Sequence, residues 1–223
     1  MTSRTLQDRL VMLLVACAAY YVGFNTGSRN ASSSMIGQLH QGTSRTDPNT
    51  GIVFPVKENF PISRPPLSLV GVGTRKKAVL NIYSLGMYVS APIEKQLSSA
   101  ASSSSKKTCQ TILDSKAHKA VQLTFHMAIG PEKIAEAVSQ LAGVDSAVTK
   151  EFHDLVLNGM GGGKMKSGEK MSFEWKGADA ISVTIRGSVV GEMKDKALAN
   201  AVLGLYLGPK SVSPSLRKDL GCV

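Results

Sequence analysis

From about residue 51 onward, apolar and polar residues alternate in short runs. Val121, Leu123, Phe125 and Met127 alternate with Gln122, Thr124 and His126, the period of a strand with one buried face. Met171, Phe173 and Trp175 alternate with Ser172, Glu174 and Lys176, and Ile181, Val183 and Ile185 with Ser182, Thr184 and Arg186. The short stretch 176–180 between those two runs predicts an antiparallel hairpin. Between the strand groups the spacing becomes helical. Pro131, at a first helical position, precedes Ile134, Ala137, Val138 and Leu141, and Asp145 caps a run that carries Val148, Phe152, Leu155 and Val156 on one face. A last helix holds Leu198, Ala201, Val202 and Leu205 and is stopped by Gly208-Pro209. Strands, two helices, a hairpin and a final helix predict an α+β domain, an antiparallel sheet with helices on one face.

Upstream the pattern changes. Leu10 to Phe24 is an uncharged, mostly apolar run behind Arg4 and Arg9, and it falls short of the roughly 17 to 20 residues a bilayer span needs. Ala16-Cys17-Ala18 would leave too short an apolar core for a cleavage site there, so residues 1–24 read as an anchor or a targeting segment. Residues 25–50, rich in Ser, Thr, Gly and Asn and without periodicity, read as a disordered tether to a domain spanning 51–223. The expected localisation is membrane-anchored or organelle-targeted, with membrane attachment through Leu10 to Phe24 and the ER or a plastid as destinations. The Asn30-Ala31-Ser32 sequon has meaning only in the ER lumen. Ser98 to Lys107 reads as a surface loop within the domain.

Composition narrows the picture. With 223 residues, 43% of them hydrophobic, the chain can bury a core without disulfides. Cys17, Cys109 and Cys222 are too far apart to read as a stapled scaffold or a zinc site. The net charge of +10 is compatible with nucleic acid, an anionic membrane or an anionic ligand. The basic residues are scattered and form no aromatic-studded motif, so no nucleic-acid partner is expected. His40, His118, His126 and His153 lack metal-ligand spacing, and neither a metal nor a cofactor is expected. The glycine-rich segment Asn158 to Gly168 lacks the first Gly and the Ser or Thr of a phosphate loop, and it follows a helix. It reads as a flexible connection with solvated lysines. Ser84 lacks the first Gly of a nucleophile elbow.

The stretch Leu67 to Val89 (LSLVGVGTRKKAVLNIYSLGMYV) carries the candidate chemistry. Arg75 follows a Gly-x-Gly that lets the backbone pack closely, and Tyr83 lies eight residues on, among Val79, Asn81, Leu85 and Met87 on one strand face. Eight residues of continuous strand span about 27 Å, so the two side chains meet only if 76–78 form a turn. An exposed Arg with a core Tyr and a paired binding couple are both consistent with the spacing.

Gly51 to Val89, with Phe54-Pro55 and GVGTR, resembles the opening of the chalcone isomerase fold family, and Ala201 to Leu216 (AVLGLYLGPKSVSPSL) is similar to its terminal helix and V-S-P-x-L close. The resemblance implies an open-faced β-sandwich, an antiparallel sheet covered by a helical layer with a ligand cleft between them. The family holds active isomerases, non-catalytic members and fatty-acid-binding members. Arg75 matches the isomerases' substrate-holding arginine. Tyr83 and Leu205, however, stand where threonines are expected, Lys133 where a tyrosine is, and Gln140 where an asparagine is. Losing one polarising donor typically costs 100- to 1000-fold, so most of the isomerase machinery is substituted. The resemblance is strongest to the fatty-acid-binding branch. It implies a carboxylate held by Arg75 and Tyr83, with Lys133, Gln140, Leu205 and Tyr206 as further cleft residues. A fatty acid or a flavonoid-like molecule is the implied ligand. The alternatives are an active intramolecular lyase on an enone, and an interaction module whose cleft has collapsed.

Overall fold

A computed structural model describes residues 42–100, 108–139 and 141–222. The alternating runs become a seven-stranded, wholly antiparallel sheet whose strands lie side by side in chain order. Its strands are β3 (Lys57–Glu58), β4 (Leu67–Lys77), β5 (Leu80–Val89), β6 (Lys119–Phe125), β7 (Lys170–Trp175), β8 (Ala180–Ile185) and β9 (Ser188–Lys194). A separate two-stranded ladder pairs β1 (Ser44–Thr46) with β2 (Val53–Pro55). The described helices are α1 (Ala91–Ala100), α2 (Thr108–Asp114), α3 (Pro131–Ser139), α4 (Ser146–Gly159), α5 (Lys196–Leu207) and α6 (Pro214–Asp219).

The helix boundaries follow local chemistry. The Asp145 carboxylate accepts from the Ala147 N–H at the start of α4, and Asp195 from the Leu198 N–H at the start of α5. Pro214 occupies the first turn of α6 behind the Ser213 cap. The apolar faces of these helices close one side of the sheet. Phe152 and Val156 of α4, Leu198 and Val202 of α5 and Leu216 of α6 pack with Leu85, Val121, Phe173 and Val183 in a single core. At the β4–β5 end the opposite sheet face is covered too, by Phe54 and Phe60 packed on Leu67, Leu69, Val72 and Tyr88.

Two bulges decide which side chains face the helices. The register of β4 with β5 slips between Leu69 and Gly71, and again between Arg75 and Lys76. Because side chains alternate along a strand, one extra residue inverts the pattern. Leu67 and Leu69 lie on the face opposite the helices, and so does Val72. Gly71, Gly73 and Arg75 are thereby turned to the helix side. There the missing side chains of Gly71 and Gly73 leave room for Leu216 and Leu220, the close approach expected of the Gly-x-Gly.

Several expectations need correction. The tether does not extend to residue 50: Ser44–Thr46 form β1, and Asp47 is fully buried against the sheet because its carboxylate accepts hydrogen bonds from Thr74 and Ser84. Val79 does not share the buried face with Tyr83, Leu85 and Met87, because the β4–β5 turn falls at Ala78-Val79 and leaves it 93% exposed. Cys109 and Cys222 form a disulfide across 113 residues of chain, a pairing that no local spacing could announce. The glycine-rich connection is pinned rather than loose, since buried Met165 pairs with Ile129 and Arg186 donates to the carbonyls of Met160 and Lys164. Leu10 to Phe24 and most of the Ser-rich run lie outside the described residues, as does Gln140. Among the described residues no helix is long and apolar enough to cross a membrane.

Candidate functional site

Between the sheet and the helices lies a cavity of about 270 Å³, close to the lower end of the roughly 300–1,000 Å³ range of small-ligand sites. Leu123 and Phe125 of β6 with Met171 and Phe173 of β7 form one wall, and Ile134 and Ala137 of α3 with Leu205 and Tyr206 of α5 form the other. Exposed Lys77, Leu80 and Lys133 stand at its rim. The basic side chains along the cleft, Arg75, Lys77 and Lys133, have no acidic side chain among the lining residues to neutralise them.

Arg75 and Tyr83 meet. The hairpin turn makes them direct cross-strand partners, and the Arg75 guanidinium carbon lies 5.9 Å from the Tyr83 ring centroid. The turn that lets them meet falls at Ala78-Val79 rather than over 76–78, since Lys76 and Lys77 remain paired in the ladder. The second bulge leaves Ile82 unpaired between Asn81 and Tyr83, and both Ile82 and Tyr83 line the cavity. Phe125 packs edge-on against Tyr83 at 5.6 Å and holds its ring in place.

Tyr206 completes the polar end. Burial raises the pKa of the Tyr83 phenol against the opposing pull of the Arg75 charge and of hydrogen bonds from Arg75 and Tyr206. Burial also pushes the pKa of Tyr206 well above that of a free phenol, reinforced by its contact with Tyr83. Both phenols are therefore neutral at pH 7. Arg75 donates to the Tyr83 oxygen, and Tyr83 and Tyr206 share a hydrogen bond, so the two neutral phenols and the guanidinium form one polar cluster on the cavity wall. The result is one fixed cation and one oriented hydroxyl at the edge of an apolar chamber.

The sequence-derived residues are thus largely brought together. Arg75, Tyr83, Lys133, Leu205 and Tyr206 all line the cavity, with Lys133 at the rim and Tyr206 buried. The wall formed by Leu123, Phe125, Met171 and Phe173 was visible only as the buried faces of strands. Nothing in their alternation distinguishes residues under a cavity from residues under a helix.

A second polar cluster lies behind Tyr83, on the other face of the sheet. The Ser84 hydroxyl is 2.8 Å from His126 Nε2 and 2.7 Å from Asp47 Oδ2, and Thr50 Oγ1 is 2.6 Å from it. A nucleophilic triad needs the carboxylate on the histidine and the serine proton on the histidine nitrogen. Here Ser84 gives its proton to Asp47 and can only accept from His126 and Thr50, and it is fully buried. Burial alone would raise the pKa of Asp47, but hydrogen bonds from Thr74, Ser84 and Asn49 outweigh it and hold the carboxyl below its usual range. The cluster fastens the β1–β2 segment to β4 and β5. Among the described residues no group of His, Cys, Asp and Glu could hold a metal ion.

A protein-family model described as chalcone isomerase-like matches residues 52–221. Among solved structures, that of a fatty-acid binding protein from Arabidopsis thaliana aligns with a TM-score of 0.64 at 20% sequence identity, over 80% of this chain and 96% of that one. At that identity the likeness speaks for a shared fold. Comparison with curated protein sequences finds no match.

Proposed function

The chain belongs to the chalcone isomerase-like family, and from that premise we propose that its cleft binds a fatty acid or similar carboxylate without cyclising chalcones. The observation that carries this reading is the cross-strand pairing of Arg75 with Tyr83 at the polar end of an otherwise apolar cavity. A guanidinium grips a carboxylate through paired N–H groups, and the neutral phenol adds an O–H donor. The acyl chain then lies against Leu123, Phe125, Met171 and Phe173. Each buried CH₂ contributes about 0.8 kcal/mol and each charged hydrogen bond about 1.5–3 kcal/mol, so the tail supplies most of the affinity and the head group sets its direction. The likeness to a structure named for fatty-acid binding supports the same reading.

A collapsed cleft, the condition for a pure interaction module, does not fit a cavity with half-buried Arg75 on its wall. Isomerisation is disfavoured by the residues themselves, because Leu205 offers the cavity no hydroxyl where the resemblance calls for a threonine. We further propose that Leu10 to Phe24 attaches the domain to a membrane or delivers it to an organelle. The Cys109–Cys222 disulfide favours an oxidising destination such as the ER.

Calorimetry with laurate tests the cleft. Arg75→Ala is expected to weaken binding about 10- to 100-fold, and Tyr83→Phe by a smaller factor. Equal affinity in wild type and the double variant would overturn the proposal. Loss of chalcone absorbance on adding the protein would establish the isomerase reading in its place.

A further inference from the structure

The β4–β5 hairpin ends beside the cleft mouth with Val79 93% exposed and Leu80 53% exposed, flanked by exposed Lys76 and Lys77. Two adjacent exposed aliphatic side chains at the mouth of an apolar cavity extend its apolar surface outward, the arrangement of a contact surface rather than of scattered exposed residues. The registers bring three more segments to the same end. Tyr83 pairs with Phe125, Thr124 with Lys170 and Met171 with Ile185. The chain leaving β6, the glycine-rich connection into β7 and the Arg186-Gly187 turn into β9 therefore all emerge on the hairpin-tip side of the sheet.

Lys133, Lys164, Lys166 and Lys170 are exposed on those segments, and Val189, just past the last turn, is 49% exposed. The acids there are Glu132, Glu136 and Glu169, and Glu169 is held by Arg186 Nε at 2.9 Å and by the Lys166 N–H at 2.8 Å. Aliphatic tips set among lysines, around the opening of an apolar cavity, match an interface with anionic head groups outside and hydrocarbon beneath. Nucleic acid would ask for aromatic stacking surfaces, and the exposed apolar residues here are Val79, Leu80 and Val189.

We propose that this end of the sheet docks on an anionic lipid bilayer. Val79 inserts between head groups while the lysines sit over them, and an acyl ligand passes between membrane and cleft without crossing bulk water. The transfer role rests on the fatty-acid reading of the cleft; the docking does not.

The test is sedimentation of the full chain with vesicles of phosphatidylcholine alone and with phosphatidylserine added, so that any binding through Leu10 to Phe24 is common to every variant. The altered residues Lys76, Val79, Lys164 and Lys166 are not cleft-lining residues. Phosphatidylserine is expected to strengthen binding, and high salt to reverse the gain. Each cation near an anionic surface is worth about fivefold, so Lys164→Glu with Lys166→Glu should weaken phosphatidylserine binding by well over fivefold, and Lys76→Glu with Val79→Asp likewise. Laurate affinity in vesicle-free solution should be unchanged in both pairs, and delivery of a fluorescent fatty acid from vesicles slowed. Unchanged vesicle binding in both pairs overturns docking, as does a loss of binding confined to an acidic peptide or polyuridylate. Docking that persists while laurate fails to bind wild type would sink the cleft reading alone.

Discussion

Lys119 shows how a single residue can work against the fold that contains it. It lies in β6, paired with Trp175, and is 1% exposed, with its ammonium donating to the Ser115 carbonyl. Burial lowers its pKa from 10.5 to about 8. The folded chain therefore gives up this proton before the unfolded chain does, so between about pH 8 and 10.5 the unfolded state binds more protons and stability rises with pH. Below that window both states carry the charge, and the hydrogen bond to the Ser115 carbonyl only partly offsets its desolvation. Lys119→Met is predicted to be more stable than wild type at pH 7 by roughly 1–3 kcal/mol and to lose the alkaline rise. Urea denaturation at pH 7 and pH 10 checks both, and a wild type with flat stability across that range would show a solvated ammonium. Lys119 precedes the alternating run that marks the strand, and a lysine there reads as exposed. Its burial follows from strand parity, since Lys119 shares the helix-covered face with Val121, Leu123 and its cross-strand partner Trp175.

At the scale of elements, the contact of α6 with β4 depends on two absent side chains. A Cβ on Gly73 would come within 2.5 Å of the Leu216 backbone nitrogen and 2.7 Å of its Cα, and backbone cannot rotate aside. Gly73→Ala is predicted to cost about 1–3 kcal/mol, read as a lowered melting temperature. Gly204, inside α5, has nothing within 4 Å of its missing Cβ. Gly204→Ala should therefore stabilise by about 1 kcal/mol through helix propensity alone. If both changes are neutral, the packing of α6 is softer than its contacts indicate. The strands β6, β7 and β8 and the caps Asp145 and Gly208 were legible because period and cap chemistry are local. Strand β9 was not. Its turn, Arg186-Gly187, takes positive φ at both residues without the Asn or Asp that advertises such a turn, and Ser188-Val189-Val190-Gly191 at the sheet edge has no alternation. The two bulges of the β4–β5 pair were equally silent, since a one-residue slip leaves composition unchanged.

Over the whole molecule, the Cys109–Cys222 disulfide ties α2 to the last turn of the chain across 113 residues. In the unfolded state such a link removes loop-closure freedom, typically worth about 2–5 kcal/mol. Cys222→Ser is predicted to lower the guanidinium midpoint accordingly, and reduction of wild type should reproduce the shift. An unchanged midpoint in both would show that the domain does not depend on the link. The positive charge also resolves at this scale. Arg75, Lys77 and Lys133 belong to the cleft and its rim, and together with Lys76, Lys164 and Lys166 they come from three separate stretches of sequence that meet only at one end of the sheet.

The sequence by itself determined what depends on near neighbours along the chain: the strand periods, the helix caps, the close-packing glycines and, through resemblance, the identity of Arg75 and Tyr83 as a candidate couple. Tertiary structure alone decided that the two meet, because their encounter depends on a turn at Ala78-Val79 and a bulge at Ile82 that no residue type demands. It likewise decided that Tyr206, arriving from α5 more than a hundred residues later, hydrogen-bonds Tyr83 at the cavity wall. Alternation tells a strand which face to bury, but only the packed helices determine whether that burial leaves a core or a cavity.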